Sequence, residues 1–588
     1  MWNVTFKFHD GVTHDAKVSI SDGMTLSRPA VELENNAGEF FQGWFTAETG
    51  GEAYDWSLPV TKNFVLHAQW REKTQNEGDY DSDLAYAATY TADGALYEAE
   101  DADLYKFQIL TDPKYAFTGT GYAGIEFDAG ATLTFTVEIA KGGLYDLHFM
   151  TFSPSDLWGN SSKFNLLFIN GVSVPWPDGL VSQPGLAFQD SVKSGISLNT
   201  GINTVQIQQY NGYTYFDSLR VVKFKNPLPD AIYNVSAKLS NPNADANAKR
   251  LMKFLADNYG KMVITGQYGQ VGDDVFEGIQ KLTGSYPAIM GLDMMDYSPS
   301  RIEPYFDPID YFQYPDEWRA EIDKRLPTNI YTDSVKWDKM GGIVSLLWHW
   351  NAPAGLINTD DWPWYKGFYS AATTFNLKNA MANPDSDDYK LLVRDIDIIA
   401  DNIKPLCDAG IPVLWRPLHE GGSNCAFWWG AYGGDAYVAL WRLMYDRMVN
   451  VHNLTNLIWV WNGGGEDYYP GDEYVDIAGL DMYPGYRDYS TQYNAFNSIV
   501  TFFTNRGNNT PKIIGIMEDG VVPDIDMMVG DNVMWSLFIT WTIFSVDSGG
   551  NIFVADGSTE TDMVKKTYTH ERAYTLNKLP DLKTYPLN

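Results

Sequence analysis

The chain has 588 residues, 45% hydrophobic and only 20% charged, which excludes a disordered chain and exceeds what one core accommodates. A net charge of −33 repels phosphate backbones and anionic lipid, so nucleic acid, membrane surfaces and polyanionic polymers are poor partners. No apolar run approaches the ~20 residues of a membrane span. Aromatics reach 15%, with 20 Trp and 37 Tyr, enough both to fill cores and to offer flat platforms to sugar rings.

Residues 1–71 alternate as strands do (VTFKF, AKVSI, GEFFQGWF, NFVLHAQW), with turns at Asp10-Gly11, Asp22-Gly23 and Gly50-Gly51. This pattern predicts a small all-β unit. Its layout, with Gly43–Phe45 near the middle and VLHAQW at the end, resembles the internalin-type B-repeat, a β-grasp-like module of secreted bacterial proteins. The resemblance implies a spacer or adhesion role, and a secreted or cell-surface bacterial protein. The first residues read as strand rather than as a signal peptide. Residues 72–84 are polar, acidic and aperiodic, and are expected to be a linker.

Residues 85–226 return to short strands (TLTFTVEIA, LYDLHFM, KFNLLFING, NTVQIQQY, YFDSLRVVKF), predicting a β-sandwich or jelly roll. The segment LYEAEDADL (96–104), with YFDSLRV (215–221), resembles carbohydrate-binding module family 35. The resemblance implies a structural calcium ion held by Glu98, Glu100 and Asp217, since three carboxylates suit a hard cation. An acidic strand edge is the plainer alternative. Sugar contacts are expected from Tyr122, Trp158 and Tyr213, with Trp176 and Tyr210 as competitors.

From residue 227 to 588 apolar strands alternate with helical stretches such as Ala248–Asn258, Tyr389–Ala409 and Ala436–Asn450. The strand candidates are 262–266, 287–292, 342–348, 411–415, 456–461, 475–481, 512–517 and 535–541. This alternation predicts a (β/α)8 TIM barrel, with a doubly wound sheet as the alternative. Gly463–Gly465 lacks the spacing of a nucleotide fingerprint. Cys407 and Cys425 flank the fourth strand, whose length of about 20 Å exceeds disulfide reach. Both are expected as free thiols.

Residues just beyond the C-terminal ends of barrel strands share one bowl. Two glutamates stand there: Glu420 in WRPLHEGG after the fourth strand, and Glu518 in KIIGIMEDG at the end of the seventh. A pair of carboxyls across a glycosidic bond is what double-displacement hydrolysis requires. RPLHE followed by FWWG (Phe427–Gly430) resembles glycoside hydrolase family 26, whose members are mostly β-mannanases. The resemblance implies Glu420 as acid/base and Glu518 as nucleophile, with no cofactor for catalysis. It implies substrate contacts from His349, Arg416, His419, Trp428, Trp429, Asp481 and Tyr483. It also implies Trp541 as a stacking floor, for which Trp535 competes. The family commonly carries a tryptophan just before FWWG, where this chain has Ala426, so leaving-group binding is expected to be weaker or borrowed from another loop. The resulting expectation is a secreted, monomeric, retaining mannan endo-1,4-β-mannosidase acting on plant β-mannan-type polysaccharide or oligosaccharide. Alternatives are a related β-glycanase (mixed-linkage glucan or β-1,3-xylan) and a non-catalytic polysaccharide-binding or adhesion protein.

Overall fold

The computed structural model describes residues 2–9, 16–20, 39–51, 54, 60–71, 89–91, 94–124, 130–155, 161–174, 179–210, 212–225, 228–301, 330–485, 487–505, 511–541, 544–546 and 552–587. The chain divides into two compact units, Met1–Asn226 and Pro227–Asn588. The expected linker at 72–84 lies outside the described residues, as do Trp158 and Trp176.

The first unit is built of sheets. At its start, Trp2–Lys7 pairs antiparallel with Ala16–Ile20 and parallel with Phe64–Arg71, which in turn pairs with Phe40–Phe45. Trp44 of the GWF segment is buried edge-on between Phe6 and Phe8, at ring separations of 5.1 and 5.2 Å. Farther on, two sheets face each other as the alternation predicts. One carries Thr132–Ile139, Lys163–Ile169 and Gly201–Gln209; the other carries Gly94–Glu98, Gly143–Pro154 and Tyr215–Lys223. Leu133, Phe135, Val137, Leu147, Phe149, Val205, Ile207 and Leu219 close the core between them.

The second unit is a closed parallel barrel. Its strands are β1 (Val263–Tyr268), β2 (Ile289–Asp293), β3 (Ile343–Leu347), β4 (Val413–Arg416), β5 (Leu457–Trp461), β6 (Ile477–Met482), β7 (Ile513–Asp519) and β8 (Leu537–Thr540). They pair in sequence order, and β8 closes on β1. Closure rules out the open doubly wound sheet. The strands are apolar because both faces are covered.

The helices start where the sequence supplies side-chain caps. Asp245, Asp273 and Ser386 accept from Ala248, Phe276 and Tyr389 amides, opening the helices at 246, 274 and 387. Register irregularities between Leu480 and Asp481, and between Ile516 and Asp519, set Asp481 opposite Glu518 at the top of the barrel. Both cysteines are free. Among the described residues no helix is long and apolar enough to cross a membrane.

Candidate active site

Strand β4 ends on Arg416, and the chain then reverses sharply. Leu418 and Glu420 both adopt left-handed backbone, at φ 49° and 52°. Such positions cost on the order of 1–3 kcal/mol each and persist only where the surroundings enforce them. Here the enforcement is visible. The Glu420 amide donates to Asn462 Oδ1 at 2.8 Å, and Gly421-Gly422 pairs as a parallel ladder with Gly463-Gly464 after β5. Tyr437 donates its hydroxyl to Leu418 O at 2.8 Å, and Trp429 donates its indole N–H to His419 O at 2.9 Å.

Arg416 is wholly buried beneath the two glutamates. Its Nη1 donates to both oxygens of Asp481, at 3.0 and 2.9 Å. Its Nη2 donates to Glu518 Oε1 and, at 3.1 Å, to Tyr268 Oη. Asn462 donates to Asp481 Oδ1 at 2.7 Å, joining the acid/base segment to the same network. Tyr483 donates to the other Glu518 oxygen at 2.5 Å while its ring stays 58% exposed.

Carboxylate oxygens of Glu420, Asp481 and Glu518 lie within 4.8 Å of one another. That separation belongs with the short spacing of double displacement, not with the ~6.5–9.5 Å that leaves room for a water. A cation could in principle use the three acids, but the Arg416 guanidinium already holds Asp481 and Glu518.

The environment splits the two glutamates. Burial and the charge of Glu518 push the Glu420 carboxyl above its ordinary range, against the opposing pull of Arg416 and His349. Burial would also raise Glu518, but Arg416 and the Tyr483 hydrogen bond outweigh it and hold Glu518 below the ordinary range. One carboxyl is therefore disposed to donate a proton and its neighbour to stay ionised. This is the division of labour that a general acid and a nucleophile need. His419 is pushed well below the ordinary imidazole value by burial, His349 and Arg416, and so is neutral. It sits 3.0 Å from His349, Nε2 to Nε2.

Trp541 lies 38% exposed and stacks on Tyr268 at 4.2 Å and 13°, presenting its outer face to the bowl. Its competitor Trp535 is buried and donates to Thr491 O at 2.9 Å, so it is core. Trp428 and Trp429, expected to contact substrate, do not fit that role. Both are fully buried, their indole N–H groups bond Trp350 O and His419 O, and their rings are covered by Trp350, Phe375 and Phe427. They brace the Leu418–Glu420 segment. Three contributors were not singled out from the sequence: Tyr268, Asn462 and Asp293. Each stands at the end of a strand (β1, β5 and β2), the one signal that marked them.

In the first unit, Tyr122 is not a sugar contact. It is 1% exposed within a second small core with Tyr115, Phe152 and Tyr215. Tyr213 is half-buried and Tyr210 exposed. The three acids expected to hold calcium ring the Thr118–Gly121 segment. Thr118 Oγ1 lies 2.8 Å from Glu98 Oε2 and 2.9 Å from Asp217 Oδ2, with one hydrogen to give to either; Thr118 N donates to Asp217 Oδ1 at 2.8 Å, and Gly121 N to Glu100 Oε1 at 3.2 Å. Glu100 Oε2 is buried with no hydrogen-bond partner among the described residues. Burial pushes Glu98 and Asp217 upward, and nearby carboxylates add to it. An orphaned acceptor among mutually repelling acids fits a hard cation.

A model of glycosyl hydrolase family 26 matches residues 240–578, and one of carbohydrate binding module family 35 matches residues 95–224. The chain is 36% identical over 502 residues to a mannan endo-1,4-β-mannosidase of Thermothelomyces thermophilus, covering 84% of this chain and 92% of that one. It is 32% identical over 493 residues to mannan endo-1,4-β-mannosidase B of a Piromyces species, covering 82% and 77% respectively. The crystal structure of a Podospora anserina GH26-CBM35 β-(1,4)-mannanase superposes with a TM-score of 0.59 at 32% identity, covering 84% of this chain and all of that one. With the paired glutamates at the mouth of its barrel, the chain belongs to glycosyl hydrolase family 26.

Proposed function

We propose that this protein is a retaining endo-β-1,4-mannanase. The observation that carries the reading is the pair of opposed carboxyls, Glu420 raised and Glu518 lowered, with oxygens within 4.8 Å. In the first step Glu518 attacks the anomeric carbon while Glu420 protonates the departing oxygen, and a glycosyl–Glu518 ester forms. In the second step Glu420, now a base, takes a proton from water, which displaces Glu518 and restores both groups. Arg416 and Tyr483 hold the nucleophile, and Trp541 supports the sugar ring. The names of the relatives favour mannan as the substrate.

The 95–224 module would tether the barrel to polysaccharide, with Glu98, Glu100 and Asp217 holding a calcium ion that orders its loop. Residues 1–71 would serve as a B-repeat-like spacer in a monomeric, secreted or cell-surface protein. The test is product analysis on linear β-1,4-mannan, galactomannan and mixed-linkage glucan. Short manno-oligosaccharides of several lengths, released first as the β-anomer by proton NMR, are the expected result. Products from glucan alone would move the substrate, and an inverted first product would refute the mechanism. For the metal, removing calcium with EGTA should lower the melting temperature of the wild-type protein but not of a Glu100→Gln variant.

A further inference from the structure

His349 and His419 touch Nε2 to Nε2 at 3.0 Å, so one of the two nitrogens must carry a hydrogen and the other a lone pair. What decides between them lies one residue beyond the pair. The far nitrogen of His349, Nδ1, is 2.6 Å from Asp293 Oδ2. The other Asp293 oxygen accepts from two amides, Met295 N at 2.9 Å and His349 N at 3.1 Å. The carboxylate is thereby fixed in orientation, and a carboxylate oxygen can only accept.

We propose that Asp293 is a positioning residue that sets the tautomers of both histidines, and through them the polarity that Glu518 faces. In the neutral ring a hydrogen on Nδ1 leaves His349 Nε2 bare, and His419 must then donate from its own Nε2. His419 Nε2 lies 4.0 Å from Glu518 Oε1, so whether that nitrogen carries a hydrogen or a lone pair changes the field at the nucleophile even though its hydrogen bond goes to His349. The remaining nitrogen, His419 Nδ1, is buried and has no hydrogen-bond partner among the described residues. A bare nitrogen there leaves no buried N–H stranded, which agrees with the same assignment. This inference rests on Glu518 being the nucleophile, but the tautomers themselves do not.

Replacing Asp293 by Asn keeps the acceptor for the two amides and puts an NH2 against His349 Nδ1. His349 would then carry its hydrogen on Nε2, and His419 Nε2 would hold a lone pair 4.0 Å from Glu518 Oε1.

The test is nitrogen NMR of protein labelled in its histidine rings. The chain has 8 His, and the two signals are assigned by loss in His349→Gln and His419→Gln. In the wild-type protein we expect a hydrogen on Nδ1 only for His349 and on Nε2 only for His419. In Asp293→Asn both should reverse. kcat should fall roughly 10- to 100-fold, the scale on which partners that orient a site residue act, with KM and melting temperature nearly unchanged. A wild-type His349 bearing a hydrogen on Nε2 would overturn the proposal, and so would an Asp293→Asn enzyme with wild-type kcat. If no polymer were hydrolysed, the proposed function would fail while the tautomer assignment stood or fell on the spectra alone.

Discussion

Burial and the charge of Glu518 together raise the Glu420 carboxyl, and the share owed to the charge can be worked from their geometry. Two unit charges about 5 Å apart interact by about 3.5 kcal/mol at an effective dielectric of about 20. Glu420 is only partly buried and Arg416 opposes the effect, so the net contribution is smaller than that figure but keeps its upward direction. Glu518→Gln removes the charge and nearly preserves shape, and it also mimics the glycosylated state in which Glu420 must act as base. Carbon NMR titration of labelled glutamates, with Glu420 assigned through Glu420→Gln, reads the value directly. The Glu420 pKa should fall in Glu518→Gln. An unchanged or higher value would mean that burial alone sets the proton, and the proton-cycling account would be wrong.

Three further outcomes follow from the same geometry. Tyr483→Phe removes a charge-assisted hydrogen bond worth roughly 1.5–3 kcal/mol to the ionised nucleophile. Since that bond helps hold Glu518 low, the acid limb of kcat/KM should move upward by about one to two pH units while the alkaline limb stays in place. Trp541→Ala should cost stacking of about 0.5–1.5 kcal/mol in substrate binding with little change in melting temperature. Trp535→Ala should instead destabilise the fold by about 3–5 kcal/mol in chemical denaturation, and equal effects on stability would refute the assignment of floor and core. Ala426 is exposed, so Ala426→Trp should add leaving-group stacking and lower KM for long manno-oligosaccharides by roughly 2- to 10-fold.

The eight barrel strands were legible because each is a short apolar run bounded by turns, and the observed limits fall within two residues of those runs. The meeting of Glu420 and Glu518 was legible for a related reason: strand ends of a barrel share one bowl, so position along the chain stands in for position in space. That reasoning fails for rings. Trp428, Trp429 and Tyr122 carry the residue type that sugars stack on, but whether a face is open depends on neighbours such as Trp350 and Phe375, many positions away in sequence. It also fails for partners. Tyr268, Asp293 and Asn462 were passed over because their roles exist only through Arg416, His349 and Asp481, contributed by other strands.

The ladder between Gly421-Gly422 and Gly463-Gly464 limits how this enzyme can be altered. A Cβ on Gly421 would come within 2.2 Å of the Tyr437 ring, and one on Gly422 within 3.3 Å of Gly464 O. The chain therefore has no latitude between the acid/base and this clasp, and every graft meant to reshape the leaving-group side must begin at Ser423. From there to Ala426 the exposed residues are Ser423, Asn424 and Ala426; Cys425 N donates to Gly422 O at 3.1 Å, and Ser370 N and Oγ donate to Ala426 O at 2.8 and 2.9 Å. Substrate range and proton transfer are thus encoded in adjoining but separable segments. A library confined to 423, 424 and 426 can search new acceptor sugars while leaving Cys425 and the segment it packs against in place.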